Sequence, residues 1–300
     1  MAPGFRYHVV SMAAIFLALG VGIIIGTSFV QSAIISQQTK QVGSLQNQFT
    51  KEIASRRNEV KQYSDFVAAY ARQLENRLKG VHVALIQTGD YPEALLNARE
   101  ALEKAGATIT SSTIIDRHFG NWASTRLDDV LHQIRTAHPD LPSDSSALIK
   151  LIATTVARGG TDTDLAPLEA AHLLKRDGDY TQAADYVVVI GGASQNNESR
   201  AETVDIPLIT QLKDLPPTVI AAEPYVADIS YIPVLRPSEI STIDNVETDI
   251  GRVALVLAIK GEKGNYGVKS TASNGILPSS TPSTSPVSIT SAPGSPAPAP

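Results

Sequence analysis

The chain of 300 residues contains no cysteine, and its only methionines are Met1 and Met12. Disulfides, thiolate metal sites, iron–sulfur clusters and cysteine nucleophiles are therefore excluded. The motifs of common catalysis are missing as well. There is no GxGxxG, no Walker loop and no HExxH, and Gly192-Ala193-Ser194-Gln195-Asn196 lacks the final glycine of a nucleophile elbow. The histidines are His8, His82, His118, His132, His138 and His172, and none pairs at i, i+4 on a clear helix face. These absences argue against an enzyme, and they leave no residues to assign to a catalytic, cofactor or metal site.

Positive charge is scarce and unevenly placed. The formal net charge is −5, which argues against a general nucleic-acid binder. Residues 36–80 carry eight Lys/Arg against four Asp/Glu, whereas residues 81–300 carry sixteen against twenty-six. A basic segment thus precedes an acidic body. Basic residues near a bilayer can touch anionic headgroups; the plainer reading is a solvated helix with charged flanks.

Val10–Val30 (VSMAAIFLALGVGIIIGTSFV) has no charge and is long enough to cross a hydrocarbon core. Gly22 and Gly26 form a GxxxG pair, a surface on which a second transmembrane helix could pack closely. A signal peptide is the competing reading, but its apolar core usually spans about 7–15 residues. An uncleaved anchor at 10–30 is expected, with residues 1–9 and their Arg6 in the cytoplasm and the rest beyond the membrane.

Residues 36–79 have no proline and one glycine, Gly43. Apolar side chains recur at Val42, Leu45, Phe49, Ile53, Val60, Tyr63, Val67, Tyr70, Leu74 and Leu78. The steps of three and four describe a heptad seam with one stutter near Phe49–Ile53, and Arg56 fills the gap before Val60. A helix of this length rises roughly 60 Å. The pattern predicts a coiled-coil stalk and a homodimer formed through it; the alternative is one helix folded back on the body.

From Val81 the pattern becomes that of an α/β fold. The runs Val81–Gln87, Thr108–Ile115, Asp185–Ile190 and Thr218–Ala222 read as buried strands, with helices over Tyr91–Ala105 and Ile206–Leu215. Continuous apolar strands alternating with helices predict a doubly wound, mostly parallel sheet over 81–268. A helical insertion is expected within 117–180, with helices near 124–137, 143–157 and 165–176. Asp249–Ile259 reads as a closing helix, with a strand as the alternative. Beyond Lys269 no charged residue occurs, and the Ser/Thr/Pro-rich segment 270–300 is expected to be a disordered tail.

Two turns in the body invite a ligand reading. The Gly191–Asn196 turn could hold an anion on its amides, although Gly-Gly after a strand is more often only a tight turn. Asp116, Arg117 and His118 follow the second strand, where a site could lie, although a plain solvated loop is the more common reading of such a stretch. Asp162 and Asp164 make too poor a cage for a cation.

Phe5-Arg6-Tyr7-His8-Val9-Val10-Ser11 before the apolar helix resembles the opening of the MctB family of actinobacteria. Ser241–Thr248 followed by Gly251–Ala258 resembles the family's second signature, and Gly264-Asn265-Tyr266-Gly267 and Leu277-Pro278 are also similar. The likeness runs from about residue 4 to 278. It implies a membrane protein of the cell envelope, described for the family as outer-membrane, in copper homeostasis or transport. Corynebacterial relatives imply an alternative, a non-catalytic scaffold that recruits or activates cell-wall remodelling and division partners through its coil. The implied partners are the membrane, a second copy of the chain and a membrane or cell-wall protein; copper enters by resemblance alone.

Overall fold

A computed structural model describes residues 3–119, 124–161, 163–195 and 197–278. It divides into two compact units, Met1–Asp65 and Phe66–Pro300.

The first unit is helical. Helix α1 (Pro3–Gln73) begins in it, and the stretch Gly4–Gly26 is long and apolar enough to cross a membrane. Its large side chains, such as Phe16, Leu17 and Ile24, lie open, as an anchor's would before meeting lipid.

The second unit is a seven-stranded sheet in the order β3-β2-β1-β4-β5-β6-β7, covered by helices on both faces. The strands are β1 (His82–Gln87), β2 (Thr108–Ile115), β3 (Leu174–Gly178), β4 (Tyr186–Ile190), β5 (Thr218–Ala222), β6 (Ser241–Ile243) and β7 (Asn265–Tyr266). All neighbouring pairs are parallel except β2 with β3. In β1 and β4 every residue after the first is buried, which explains the apolar runs Val83–Ile86 and Val187–Ile190: both faces are covered, so neither side needs polar residues.

The remaining helices are α2 (Pro92–Lys104), α3 (Ser124–Ala137), α4 (Ser146–Arg158), α5 (Ala166–Ala170), α6 (Ile206–Lys213), α7 (Ile232–Leu235) and α8 (Asp249–Ala258). One face of the sheet, with Ala84, Ile86, Val187 and Val189, packs under α3, α4 and α6 through Ile134, Ile152 and Ile209. The other face, with Val83, Leu85, Val188 and Ile190, packs under α2 and α8 through Leu102 and Leu255. In α2, Pro92 occupies the first turn, where its missing N–H costs nothing, and Leu95, Ala98 and Leu102 form the buried stripe at helical spacing. Thr248 caps α8 by accepting the Gly251 amide at 3.0 Å, a contact that typically contributes about 1 kcal/mol.

Several boundaries differ from the sequence expectation. Helix α1 ends at Gln73, and residues 74–80 are turns rather than the last turns of a stalk. Val67, Leu74 and Leu78 are buried in the body's second apolar layer, and Tyr70 packs against it, so this stretch belongs to the body. The expected helix over 165–176 stops at Ala170. His172 takes a left-handed conformation (φ 58°), and Leu174–Gly178 then forms an antiparallel strand at the sheet edge. Asp249–Ala258 is a helix, which removes the strand alternative. Residues 270–278 do not begin a tail; they lie against the sheet, with the Thr271 hydroxyl donating to Asp244 at 2.9 Å. The rest of the expected tail, residues 279–300, lies outside the described residues, as do Asp162 and Asn196.

Candidate functional site

In a doubly wound sheet, ligands bind outside the carboxyl ends of the strands where the strand order reverses. Here β1 sits between β2 and β4, so that crevice lies between the turns after β1 and β4. The first turn is Thr88-Gly89-Asp90, and the second begins Gly191-Gly192-Ala193.

The two turns lie backbone against backbone. The amides of Thr88 and Gly89 donate to the Ile190 carbonyl at 2.9 and 3.1 Å, and the Asp90 amide donates to the Gly192 carbonyl at 3.0 Å. A Cβ on Gly89 would lie 2.4 Å from the Gly191 oxygen, so only glycine permits this approach. The glycine-rich turn is equally committed. Ser194 N–H donates to the Asp90 carboxylate at 3.0 Å, and Gln195 N–H to the Asp228 carboxylate at 2.9 Å. Two carboxylates of the chain itself thus stand where the amide-cradle reading would place a bound anion.

Beneath the turns lies a buried polar cluster that sequence reasoning did not identify. Asp205 ends a single π-helical turn, Ala201–Asp205, just before α6. Its side chain has no solvent exposure; Oδ1 accepts the Thr88 hydroxyl at 2.9 Å, and Oδ2 has no hydrogen-bond partner among the described residues. Burial pushes this carboxyl up to about 7, against the smaller opposing pull of Thr88 and Arg200. Arg200, half-buried, donates to the carbonyl of Asp116 at 2.6 Å and to that of Thr88. One guanidinium therefore ties the end of β1 to the end of β2. The Arg200 amide donates to the Tyr231 hydroxyl at 3.0 Å, and burial raises that phenol.

A second cluster fastens the segment after β7. Glu223, directly after β5, is fully buried; it receives the Ser230 hydroxyl at 2.6 Å, the Tyr231 amide at 2.8 Å and the Lys269 ammonium at 2.8 Å. Asp244, directly after β6, accepts the amides of Val268 and Lys269 at 2.8 and 3.1 Å. The stretch resembling the second family signature thus assembles this corner of the sheet. Glu247 holds the amides of Tyr225 and Val226 at 2.9 and 3.3 Å, and a Cβ on Gly251 would lie 1.8 Å from the Asn245 oxygen.

The other expected positions are spread out. Gly22 and Gly26 have nothing within 4 Å of a built Cβ, so the GxxxG surface is open. Val42, Leu45, Phe49, Ile53, Val60 and Tyr63 lie open in the first unit. Asp116 and His118 form a local turn: Asp116 Oδ1 accepts the His118 amide at 2.8 Å and lies 2.9 Å from its Nδ1. Burial pushes the Asp116 carboxyl up, but the His118 bonds and Arg200 together hold it below its ordinary value. Asp164 accepts the Thr161 amide at 2.9 Å, which closes its own loop. His82, read as a core or interface residue, is half-exposed beside Asp185 at 3.5 Å. Away from the crevice, a groove of about 530 Å³ runs between Val67, Ala71 and Leu74 on one side and Ala101, Val253 and Val256 on the other. The Glu100–Lys104 pair stands at its rim at 2.5 Å.

One sequence signal could have located both buried clusters. Thr88 and Glu223 each follow closely on a largely apolar strand, and a polar residue there sits at the carboxyl edge of a parallel sheet; Asp244 follows the short Ser-Thr-Ile strand and carries no such signal. Arg200 and Asp205 carried no such mark.

These features define a mixed α/β protein with a mostly parallel sheet and an N-terminal helix able to cross a membrane, in which the ligand crevice of the fold is filled by the chain's own side chains. The chain belongs to the MctB family: the family profile, described as "Copper transport outer membrane protein, MctB", matches residues 4–277. Relatives named "Copper transporter MctB" from Mycobacterium tuberculosis and Mycobacterium bovis are 23% identical, over 87% of this chain and 95% of theirs.

The buried pair gives a direct test of the second cluster. Lys269→Met leaves the Glu223 carboxylate enclosed without its counter-charge and is expected to cost about 3–5 kcal/mol in denaturant unfolding of the full chain in detergent. Adding Glu223→Gln to the same chain should restore most of that loss. Equal stability of the single and double variants would show that the pair is not coupled.

Proposed function

We propose that this chain is a membrane-anchored protein of the cell envelope with a role in copper homeostasis, exercised through protein contacts rather than through a copper site of its own. The family match across residues 4–277, with relatives named as copper transporters, carries the first half of this reading. The second half rests on ligand chemistry. Copper(I) favours thiolate and thioether sulfur; the chain has no Cys, and Met12 lies within the apolar stretch of α1. Among the described residues no three His, Asp or Glu side chains gather into a cluster that could hold an ion. A single spanning helix also cannot enclose a pore unless several copies assemble.

In a strain lacking the chain, growth should become more copper-sensitive, and a copy carrying Met12→Leu should restore tolerance as well as the natural sequence does. Failure of that variant alone would place copper on the chain. Unchanged copper tolerance combined with division or wall defects would replace this reading with a second one, a scaffold that recruits or activates wall-remodelling partners without catalysis of its own. The observation that favours the second reading is the open apolar row Val42, Leu45, Phe49, Ile53, Val60 and Tyr63, each at least half exposed.

That row is the basis for a parallel homodimer. A narrow apolar stripe on a long helix is stable when a second helix covers it, and the simplest partner is the same stripe on another copy. The absence of cysteine makes the test clean. Leu45→Cys and Phe49→Cys should each crosslink between copies under mild oxidation, because seam positions bring Cα atoms within about 7 Å. Asn47→Cys, on the opposite side of the helix, should not. Equal crosslinking at all three positions, or none at the seam, would contradict the paired helix.

A further inference from the structure

The Arg200–Asp205 cluster is used by neither of these readings, and its geometry contains two alternatives. In the structure the Arg200 guanidinium spends its hydrogen bonds on main-chain carbonyls, those of Thr88 at the end of β1 and Asp116 at the end of β2. A carboxyl with no solvent exposure meets it at Thr88, whose hydroxyl donates to Asp205 while its carbonyl accepts from Arg200, and one of the carboxyl oxygens has no partner among the described residues. A neutral carboxyl is tolerable in that setting. An ionised one needs a counter-charge, and Arg200 is the cation already acting on it.

We propose that Arg200 and Asp205 form a proton-operated latch on the turn after β2: with the Asp205 carboxyl neutral, Arg200 holds the Asp116 carbonyl and the turn is closed; when the carboxyl ionises, Arg200 turns to it and releases the turn. The wide π-helical turn Ala201–Asp205 directly after Arg200 supports this, since such turns are frequently found at functional sites. The released element is defined by its bonds. Asp116 N–H donates to the Leu173 carbonyl at 2.9 Å and Phe119 N–H to the Asp116 carbonyl at 3.0 Å. Arg117 donates to Asn197, which in turn donates to Asp90 at 2.8 Å, so release would also loosen the rim of the crevice.

The groups facing the latch set the direction of the response. From the turn after β1 come the Thr88 hydroxyl and Asp90; from the end of β2, Asp116 with His118; from the start of α7, Tyr231; and from the end of β5, Glu223 through the Tyr231 amide. Burial is the largest influence on Asp205 and opposes its ionisation, against the smaller pull of the Thr88 hydroxyl and Arg200. Asp205 is raised from its ordinary carboxyl value to about 7. The closed form is therefore favoured by the neutral carboxyl at acidic pH, and that advantage disappears as the pH rises through about 7.

Trp122, the chain's only tryptophan, lies six residues beyond Asp116 in the sequence. In the full chain in detergent, its fluorescence should change in one step with a midpoint near 7 as pH is raised. Asp205→Asn, a carboxamide that cannot ionise, should hold the acidic-side signal at all pH values, and His118→Gln should keep the step. A step that persists in Asp205→Asn, or that vanishes only with His118→Gln, would overturn the latch. If Asp205→Asn does not fold, hydrogen exchange on the natural chain decides. After correction for the intrinsic pH dependence of exchange, peptides covering residues 113–119 should lose protection above the midpoint while β1 and β4 keep theirs, and uniform protection on both sides would overturn it.

Discussion

The turns leaving β1 and β4 touch backbone to backbone, and the rest of the body is arranged around that contact. Gly89 permits it, the Ile190 and Gly192 carbonyls bond it, and the Asp90 and Asp228 carboxylates occupy the amides that the second turn would otherwise offer. Below it, Thr88, Arg200, Asp205 and Tyr231 fill the space with groups bonded to one another. A parallel sheet with helices on both faces normally leaves this crevice for a ligand. In this chain the same position is a joint that binds β1, β2 and β4 together.

Such a joint is costly in isolation and stable only as a set. A buried carboxyl with one unpaired oxygen carries a desolvation penalty, and Arg200 half-buried beside it carries another. The compensation comes from the two strand-end carbonyls that Arg200 satisfies, which would otherwise have few partners. The corner at β5 and β6 follows the same logic with opposite order: buried Glu223 and Asp244 receive Lys269 and the amides around it, and this fixes the segment after β7 against the sheet. Both polar clusters lie at the carboxyl ends of strands, where the apolar layers end and backbone groups need side-chain partners.

Much of the fold could be read from the sequence because it depends on local pattern. The runs Val83–Ile86, Val187–Ile190 and Val219–Ala222 are apolar for the reason the structure shows, burial on both faces. β3, β6 and β7 were hidden because they carry no such pattern: Leu174–Gly178 is mostly polar on a sheet edge, and the other two are three and two residues long. The helix from 36 onward was legible, but its end was not. Val67, Leu74 and Leu78 keep the spacing of the rows before them, and the spacing cannot say whether a second helix or the body's own sheet covers them. The candidate site was the least legible part. Gly191-Gly192 marked the place, yet the residues that fill it, Arg200, Asp205 and Tyr231, lie outside that turn, and Arg200 meets Thr88 from 112 residues away.

Family membership and ligand chemistry meet at the same point. The family description speaks of copper transport, while copper(I) favours sulfur ligands and the chain has no cysteine; among the described residues one helix is long and apolar enough to cross a membrane. The most direct test of the closed crevice is residue-resolved hydrogen exchange at about pH 6, read against global unfolding. The account predicts that the amides of Gly89, Asp90 and Ser194 exchange only through openings close in free energy to global unfolding. Rapid exchange of these amides through local opening, with β1 and β4 still protected, would contradict it.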